Sequence, residues 1–287
     1  MEITDPPNGG LEWFPAPGKL NLFLHVLARR PDGVHELQTV FRLIDRFDRV
    51  GLRLRNDRGI RFSGPFGDAN LCACAARLLQ SASGVAMGAD IVLDKQLPVG
   101  GGLGGGSSDA ATVLLVLNRL WNLNLPRKEL MALGLRLGAD VPLFLFGRNA
   151  LGEGVGERLR ALELAPAWYL VLAPQVSVST KEMFADAALT RDTKPLTMAP
   201  FLPGQGRNDL EPIALRRFPA IAEHLAWLKQ HGPRDCFTPR MTGSGACVFA
   251  EFSRHDDALA AQRQLPPAMR GFVAQGLAFH PLHDWAN

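Results

Sequence analysis

One segment of the chain, Pro98-Val-Gly-Gly-Gly-Leu-Gly-Gly-Gly-Ser-Ser108, holds six glycines within seven consecutive positions. Each glycine loses more backbone freedom on folding than an alanine would, at a cost of roughly 0.5–1 kcal/mol. A plain connection would not need so many. Glycines let the backbone adopt positive φ and let a bulky ligand approach the amides, whose N–H groups can then converge on an anion. The segment therefore predicts a phosphate-binding loop; a flexible hinge or a tight strand–helix corner is the structural alternative.

The residues on both sides predict a strand before this loop and a helix after it. Residues 90–95 alternate between apolar and polar side chains, as a short strand does. From Ser107 to about Trp121 the pattern is helical, and apolar side chains cover nearly every face, which indicates a helix buried on most sides. Its dipole would add to the attraction for an anion. Ser107 and Ser108 fit the helix start as caps, and their hydroxyls could also contact phosphate oxygens or a magnesium ion.

The loop does not fit the three common nucleotide-binding motifs. A Walker loop would end in Gly-Lys-Ser/Thr, and no lysine stands there. Gly100, Gly102 and Gly105 satisfy the G-x-G-x-x-G pattern, but a dinucleotide fold would place it after the first strand, and here several predicted strands precede it. The protein-kinase motifs His-Arg-Asp and Asp-Phe-Gly are absent.

Strands and helices are mixed in both halves of the chain, which predicts two α+β lobes. In the first half we expect strands at 12–28 (with a break near Pro17-Gly18), 36–46, 49–55, 60–63 and 90–95, and helices at 69–82, 107–121 and 126–137. In the second half we expect strands at 158–163, 168–174, 237–241, 246–252 and 271–277, and helices at 179–189, 208–217, 219–231 and 256–265.

The composition is that of an ordinary globular protein of 287 residues, with 47% hydrophobic and 21% charged residues. The formal net charge is +3 and the arginines are scattered, so we expect no nucleic-acid partner. Four cysteines are too few for a disulfide framework, and the spacing of Cys72 and Cys74 on a predicted helix disfavours a shared metal. We see no signal peptide and no run of 18 apolar residues, so we expect a cytoplasmic protein without a membrane partner.

Three segments resemble the motifs of the GHMP kinases, the family of galactokinase, homoserine kinase, mevalonate kinase and phosphomevalonate kinase. Residues 98–111 are similar to the family's ATP loop, residues 15–24 to its N-terminal substrate motif, and residues 242–249 to its C-terminal glycine motif. The three segments occur in family order across almost the whole chain. The resemblance implies a two-lobed α+β fold, with an N-terminal lobe like ribosomal protein S5 domain 2 over 1–156 and a C-terminal ferredoxin-like lobe over 157–287.

One branch of the family resembles the chain most. The segments that carry this resemblance are Lys19-Leu-Asn-Leu-Phe23, Arg30-Pro-Asp-Gly-Val-His35, Leu137-Gly-Ala-Asp-Val-Pro142 and Glu153-Gly-Val-Gly-Glu157. It implies a kinase that uses ATP and Mg²⁺ to phosphorylate the tertiary 2-hydroxyl of a cytidine diphosphate-linked methylerythritol in non-mevalonate isoprenoid synthesis. Two alternatives stay open: another small-molecule kinase of the homoserine or mevalonate type, and a nucleotide-binding protein without catalysis.

The resemblance assigns catalytic roles to Asp140 and Lys19. Phosphoryl transfer asks a protein mainly for positioning and for cationic stabilisation of negative charge. Asp140, which precedes the apolar run 141–146, is implied to take the proton of the acceptor hydroxyl; a turn or cap aspartate is the structural alternative. Lys19 is implied to orient Asp140 and to face the phosphates, with a surface lysine as the alternative. Asn21 lies two residues along the same predicted strand, so it is expected to point to the same side. No residue is assigned to the metal.

The resemblance also implies binding residues on both sides of this pair. His35 matches a histidine that reads the cytosine, with an ordinary turn histidine as the alternative, and Phe184 is the expected stacking ring because Val34 stands where the branch has an aromatic residue. Asp109 stands where asparagine or alanine is common, and it receives no role. The predicted ATP-binding residues are Asn70, Lys95, Pro98, Gly100, Gly101, Gly102, Leu103, Gly104, Gly105, Gly106, Ser107 and Ser108. The predicted substrate-binding residues are Asn21, His35, Thr180, Phe184, Gly243 and Gly245.

Overall fold

Six strands form one sheet in the N-terminal part of the chain. The computed structural model describes residues 10–197, 204–232 and 239–287. The strands are β1 (Glu12–Arg29), β2 (His35–Arg55), β3 (Ile60–Ser63), β4 (Gly88–Asp94), β5 (Ala150–Gly154) and β6 (Arg158–Ala161). Their order is β3-β4-β2-β5-β6, with β1 paired to β2. All pairs are antiparallel except β3–β4, which is parallel.

Strand β2 runs without interruption through the two segments that the sequence predicted separately, 36–46 and 49–55. Its first half pairs with β5 and its second half with β4, while β1 pairs with it along both halves. Phe47 and Asp48 lie between the two predicted segments, and Asp48 is fully buried and hydrogen-bonded rather than part of a turn. The register of β1 on β2 shifts between Pro17 and Gly18, where the sequence predicted a break. A bulge therefore bends β1 there without ending it.

Four helices share one core with this sheet: α1 (Leu71–Ser83), α2 (Gly105–Leu120), α3 (Arg127–Leu135) and α4 (Val141–Phe146). Helix α2 is buried from Ser108 to Asn118, which confirms the prediction of a helix enclosed on most sides. The apolar run 141–146 is the short helix α4, whose first residue directly follows Asp140. The start of α2 and the start of α4 are thereby held by the same core.

A second, four-stranded sheet forms the C-terminal part. Its strands are β7 (Trp168–Leu172), β8 (Arg240–Met241), β9 (Val248–Phe252) and β10 (Gly271–Gln275), in the antiparallel order β10-β7-β9-β8. Its helices are α5 (Thr180–Ala185), α6 (Glu211–Arg217), α7 (Pro219–His231) and α8 (His255–Gln262). Helices stand between β7 and β8 and between β9 and β10, which is the β-α-β-β-α-β order of the predicted ferredoxin-like lobe. The fold is α+β, as predicted.

Helix α5 ends at Ala185 instead of continuing to residue 189 as the sequence predicted. The backbone of Asp186 is extended, with φ −60° and ψ 130°. The carbonyl oxygens of Phe184 and Asp186 accept hydrogen bonds from the Arg191 guanidinium at 3.0 and 2.8 Å. These side-chain donors replace the amides of a further helical turn, so the arginine fixes where the helix stops.

The two sheets contact each other directly. Leu24 in β1 forms a parallel bridge with Asn208, and the next backbone contact is the amide of Val26, which donates to the Asp209 carboxylate at 2.8 Å. Arg240 in β8 donates to the carbonyl oxygen of Leu22 at 2.6 Å. Because β6 pairs with β5, the first sheet extends through Ala161. The boundary after residue 156 stays a prediction.

The remaining expectations concern membrane-spanning helices and cysteines. Among the described helices, none is both long and apolar enough to cross a membrane. Cys236 and the beginning of the predicted strand 237–241 lie outside the described residues. Of the remaining cysteines, Cys72 and Cys247 are buried as free thiols.

Candidate active site

A cavity of about 560 Å³ lies where the glycine loop meets both parts of the chain. Every predicted site residue lines it except Ser108 and His35. The structure thus brings together residues from β1, the loop 98–106, the residue before α4, helix α5 and the segment 243–245. We divide the cavity into a centre at Lys19 and Asp140, a Lys95 end and a Phe184 end.

The glycine loop needs its glycines for two reasons. Gly100, Gly102 and Gly104 have φ of 68°, 74° and 70°, a region that side-chain-bearing residues rarely adopt. A Cβ at Gly102 would clash with the carbonyl oxygen of Thr242, so a larger residue would push the loop away from the C-terminal part. Both observations agree with the prediction that the backbone itself, and not a side chain, shapes this wall.

Helix α2 begins at the loop with its amides uncapped by any side chain. Its N-cap residue is Gly104, and Gly104 to Ser107 line the cavity. The first amides of a helix have no partner within the helix, and the helix dipole favours negative charge beside them. Ser108 differs from Ser107, because it is fully buried and its hydroxyl has no hydrogen-bond partner among the described residues. Its place as an ATP-binding side chain stays a prediction.

The loop is attached to the C-terminal glycine motif by backbone hydrogen bonds. The amide of Ala246 donates to the carbonyl of Gly100 at 3.2 Å, and that of Cys247 donates to the carbonyl of Gly101 at 3.1 Å. Gly243 and Gly245 have φ of 56° and 94° and line the same cavity. A ligand in the cavity would therefore contact both parts of the chain.

Lys19 and Asp140 form the centre of the cavity. The Lys19 ammonium lies 3.5 Å from the Asp140 carboxylate and donates to Asn21 Oδ1 at 2.6 Å and to the carbonyl of Gly102 at 2.8 Å. Lys19 is 2% exposed, whereas the Asp140 side chain is 34% exposed. Asn21 donates in turn to Thr39 at 2.8 Å. The lysine is fixed in position, and the carboxylate stays accessible to a ligand.

The Lys95 end is built around one ammonium between two buried carboxylates. Lys95 Nζ contacts Asp48 at 2.5 Å and Asp109 at 3.0 Å, and it lines the cavity beside Gly105. Burial alone would lower the pKa of Lys95, but the carboxylates of Asp109 and Asp48 outweigh it and raise this pKa. Burial raises the pKa of Asp109 to about 7 against the opposing effect of Lys95. Asn70 also lines this end, and its side chain caps α1 by accepting from the Cys72 amide at 2.8 Å.

The Phe184 end is formed by α5 and its surroundings. Thr180 and Phe184 line the cavity, and the Thr180 hydroxyl bonds the Ser244 hydroxyl at 2.7 Å. His35 does not line the cavity itself; its ring stacks on Phe184 with centroids 5.0 Å apart and an angle of 29°. Burial lowers the pKa of His35, and the cations Arg191 and Arg29 lower it further. Val34 is 41% exposed and lies outside the cavity lining.

Three residues of the site carry no recognisable sequence signal. Thr39 and Phe41 line the centre of the cavity from alternate positions of β2, and Asp48 holds Lys95 from the same strand. Each acts through pairing of strands that are distant in sequence, and no short motif contains them. The catalytic and binding roles of the predicted residues remain predictions, although the structure places nearly all of them in one cavity.

A divalent cation would find oxygen ligands at the centre of this cavity. Within the described ranges, no group of three or more His, Cys, Asp or Glu side chains could by itself hold a metal ion. The Ser107 hydroxyl and the Asp140 carboxylate both line the cavity. Mg²⁺ commonly uses one or two protein oxygens and takes its other ligands from substrate phosphates and water. The residues present therefore fit an ion brought in with a polyphosphate.

The family comparisons agree on both parts of the chain. The model described as "GHMP kinases N terminal domain" matches residues 70–148, and the model described as "GHMP kinases C terminal" matches residues 197–270. The 4-diphosphocytidyl-2-C-methyl-D-erythritol kinase of Thiobacillus denitrificans is 56% identical over 276 residues, which cover 95% of this chain and 98% of that protein.

Solved structures of kinases also resemble this chain. A crystal structure of a 4-(cytidine 5'-diphospho)-2C-methyl-D-erythritol kinase has a TM-score of 0.82 at 37% identity, covering 92% of this chain and 99% of that one. A homoserine kinase from Cytophaga hutchinsonii has a TM-score of 0.70 at 16% identity, covering 97% of this chain and 98% of that one. At this lower identity the likeness concerns the fold alone.

Proposed function

Because the chain belongs to the GHMP kinase family, we propose that it transfers the γ-phosphoryl group of ATP to the 2-hydroxyl of 4-diphosphocytidyl-2-C-methyl-D-erythritol, in the non-mevalonate route to isoprenoid precursors. The observation that carries the proposal is the Lys19–Asp140 pair, which lies between the uncapped start of α2 and the Phe184 end of one cavity. The high identity to kinases of that name over nearly the whole chain supports the choice of acceptor. The cytoplasmic location stays a prediction from the sequence.

The chemistry divides between the carboxylate, the ammonium and the backbone amides. As the oxygen of the acceptor hydroxyl attacks the γ-phosphorus, its proton passes to the Asp140 carboxylate, and the bond from the γ-phosphorus to the bridging oxygen breaks to release ADP. Lys19 keeps Asp140 in place and offsets the negative charge that spreads over the transferred group. Asn21 holds the Lys19 ammonium at 2.6 Å, so this cation is already oriented before the substrates bind.

The glycine loop and the metal ion both bind the polyphosphate of ATP. The amides at the start of α2 bind phosphate oxygens in a wall that has no side chains in the way. Ser107 and Asp140 would hold Mg²⁺ together with those phosphates. The ion supplies positive charge that neutralises the phosphates during transfer. Lys95 and Asn70 line the cavity, with Lys95 next to Gly105 at the start of α2, and the nucleoside of ATP extends towards them.

The acceptor occupies the opposite end. Thr180, Gly243 and Gly245 surround the path of a diphosphate, and Phe184 offers the face of an aromatic ring to a pyrimidine. Val34 supplies no second ring, so Phe184 is the stacking partner that the chain offers. This arrangement favours a long, cytidylyl-linked alcohol over a small acceptor such as homoserine, which would leave the Phe184 end unfilled.

The test is turnover with a panel of acceptor alcohols. Purified protein with ATP and Mg²⁺ should release ADP with the cytidylyl alcohol, and ³¹P NMR should show a new phosphomonoester on its 2-hydroxyl. Homoserine, mevalonate and galactose serve as the matched acceptors. Turnover of one of these, with none of the cytidylyl alcohol, would establish another kinase of the family. ATP binding without transfer to any acceptor would establish a nucleotide-binding protein without catalysis.

A further inference from the structure

Arg191 contacts the His35 ring at the Phe184 end of the cavity. Its Nε–H donates to His35 Nε2 at 3.1 Å. The remainder of the guanidinium donates to backbone carbonyls: Nη1 to Leu189 at 3.1 Å, and Nη2 to Phe184 and Asp186 at 3.0 and 2.8 Å. One side chain therefore joins the last turn of α5, which carries Phe184, to the first residue of β2, which is His35.

This contact decides which nitrogen of His35 carries the proton. An arginine guanidinium only donates hydrogen bonds, so Nε2 must accept with its lone pair. In the neutral ring the proton is then on Nδ1. Among the described residues, none forms a hydrogen bond with Nδ1, and the ring lies against Phe184, which lines the cavity. The neutral form is favoured because burial, and then the cations Arg191 and Arg29, lower the pKa of His35; Glu36 is its neighbour in β2.

We propose that Arg191 is a positioning residue that makes the kinase selective for cytosine over uracil, by fixing His35 as an Nδ1–H donor next to the stacking ring Phe184. The inference rests on the proposed function, because it concerns the pyrimidine of that acceptor. N3 of cytosine accepts a hydrogen bond, whereas N3 of uracil carries a proton. A fixed Nδ1–H donor can pair with the former and meets a second donor in the latter, and a donor that opposes another donor in a desolvated site loses affinity.

The tautomer can be tested on the free protein. In ¹⁵N-histidine spectra, with the His35 signals assigned by their loss in His35→Gln, the wild type should show a protonated Nδ1 and an unprotonated Nε2 at neutral pH. In Arg191→Met this preference should be lost. A wild-type His35 with its proton on Nε2 would overturn the proposal, and so would an Nδ1–H tautomer that persists unchanged in Arg191→Met. Because this measurement needs no substrate, it stands even if the proposed reaction fails.

The selectivity is tested by kinetics with the cytidine diphosphate-linked alcohol and its uridine counterpart. Arg191→Met should raise KM for the cytidylyl acceptor by about five-fold or more, the size of one hydrogen bond. It should leave KM for ATP unchanged and lower the cytidylyl-over-uridylyl ratio of kcat/KM. Arg217→Met is the matched control, because Arg217 pairs with Glu182 on the same helix α5 and does not contact His35.

A double-mutant cycle separates this role from general support of α5. If Arg191 acts through His35, then Arg191→Met should change the cytidylyl-over-uridylyl ratio little further when His35→Gln is already present. Full additivity of the two substitutions, or an unchanged ratio in a folded Arg191→Met protein, would overturn the proposal. If Arg191→Met fails to fold, the proposal is judged by the tautomer of His35 in the wild-type protein, and a proton on Nε2 would overturn it.

Discussion

Lys19 is a buried lysine whose side chain nevertheless lines the cavity. It lies in β1 with 2% of its surface exposed, and its ammonium is surrounded by Asn21, the Gly102 carbonyl and Asp140. A buried cation needs such partners, because leaving water is costly for a charge. The Asp140 side chain keeps 34% of its surface exposed, so the ion pair that holds Lys19 in place also faces the cavity.

Substitution of either member of this pair should abolish most turnover without unfolding the protein. We expect Asp140→Asn to lower kcat by on the order of 10²–10⁴-fold, because an amide cannot take the hydroxyl proton. Lys19→Met should lose a comparable factor, because it removes the cation beside the transferred group. Steady-state kinetics and thermal unfolding of both variants check this. Near-normal kcat in both would remove Asp140 and Lys19 from the mechanism.

Asp109 should make stability depend on pH. Its pKa is raised from an ordinary 3.8 to about 7, so between these values the folded chain binds more protons than the unfolded chain. Stability linked to this group is therefore present at low pH and is lost as the pH rises towards 7. Asp109→Asn lacks this dependence, so the free energy of unfolding of the wild type minus that of the variant should become smaller from about pH 5 to about pH 8.

Urea unfolding of both proteins at the two pH values measures this difference. Asp68→Asn, at a side chain that is 81% exposed and paired with Arg77, is the control and should show no such trend. A difference that grows as the pH rises would mean that the Lys95 contact, rather than burial, governs Asp109.

At the scale of residues, the sequence predicted the site residues that belong to a recognisable motif. It missed the contacts that form only when distant strands pair. The loop glycines, Lys19 and Asp140 stand in recognisable segments, and the cavity contains them. Asp48 is 47 positions from Lys95, and the two meet because β2 and β4 pair with Arg49 opposite Asp94. Neither residue has a neighbour in sequence that would indicate the other, so this contact could not be predicted without the sheet register.

The glycine loop is the element on which the site depends most. The loop forms its side of the cavity with backbone atoms, because the C-terminal part packs so closely against it that a Cβ would clash. The sequence predicted that backbone would shape this loop, because six of seven consecutive positions are glycine. It predicted the end of α5 poorly, because that end is set by Arg191, six residues beyond the last residue of the helix.

Two alanine substitutions in this loop should have opposite effects on stability. Gly102→Ala should destabilise the protein by roughly 2–4 kcal/mol, because it combines φ of 74° with a clash against the Thr242 carbonyl. Gly106→Ala is the matched control. Its Cβ would meet only Leu71 at 3.7 Å, within a regular helix, so we expect roughly 0.5–1 kcal/mol of added stability. Urea unfolding of the two variants checks this, and equal effects would contradict the difference in backbone environment.

At the scale of the whole molecule, the two sheets are joined by side chains that bond to backbone. Arg240 is 5% exposed and donates to the carbonyl of Leu22 in β1 and to those of Gly204 and Gly206. Burial lowers its pKa to about 10, which leaves it positively charged at neutral pH. The resemblance to a two-lobed family predicted that two sheets exist. It did not predict this arginine, because the atoms it bonds are carbonyls, which every residue has.

Removal of this guanidinium should weaken the whole fold. Arg240→Met leaves several buried carbonyls without their donor, and we expect a loss of roughly 2–4 kcal/mol in the free energy of unfolding. Arg254→Met, at an exposed position, is the control and should be close to neutral. Urea unfolding with a single transition would show that the two parts unfold together, and an unchanged midpoint in Arg240→Met would mean that other contacts hold the sheets.

Strand β2 carries Thr39 at the centre of the cavity and Asp48 beneath its Lys95 end. Nine residues of extended chain span at most roughly 30 Å, and covalent geometry keeps that length nearly constant. This strand therefore fixes the distance between the centre of the cavity and its Lys95 end. Loops at the rim can change without altering this distance. Deletion of one residue within β2 would shorten it and would turn the following side chains to the opposite face of the sheet.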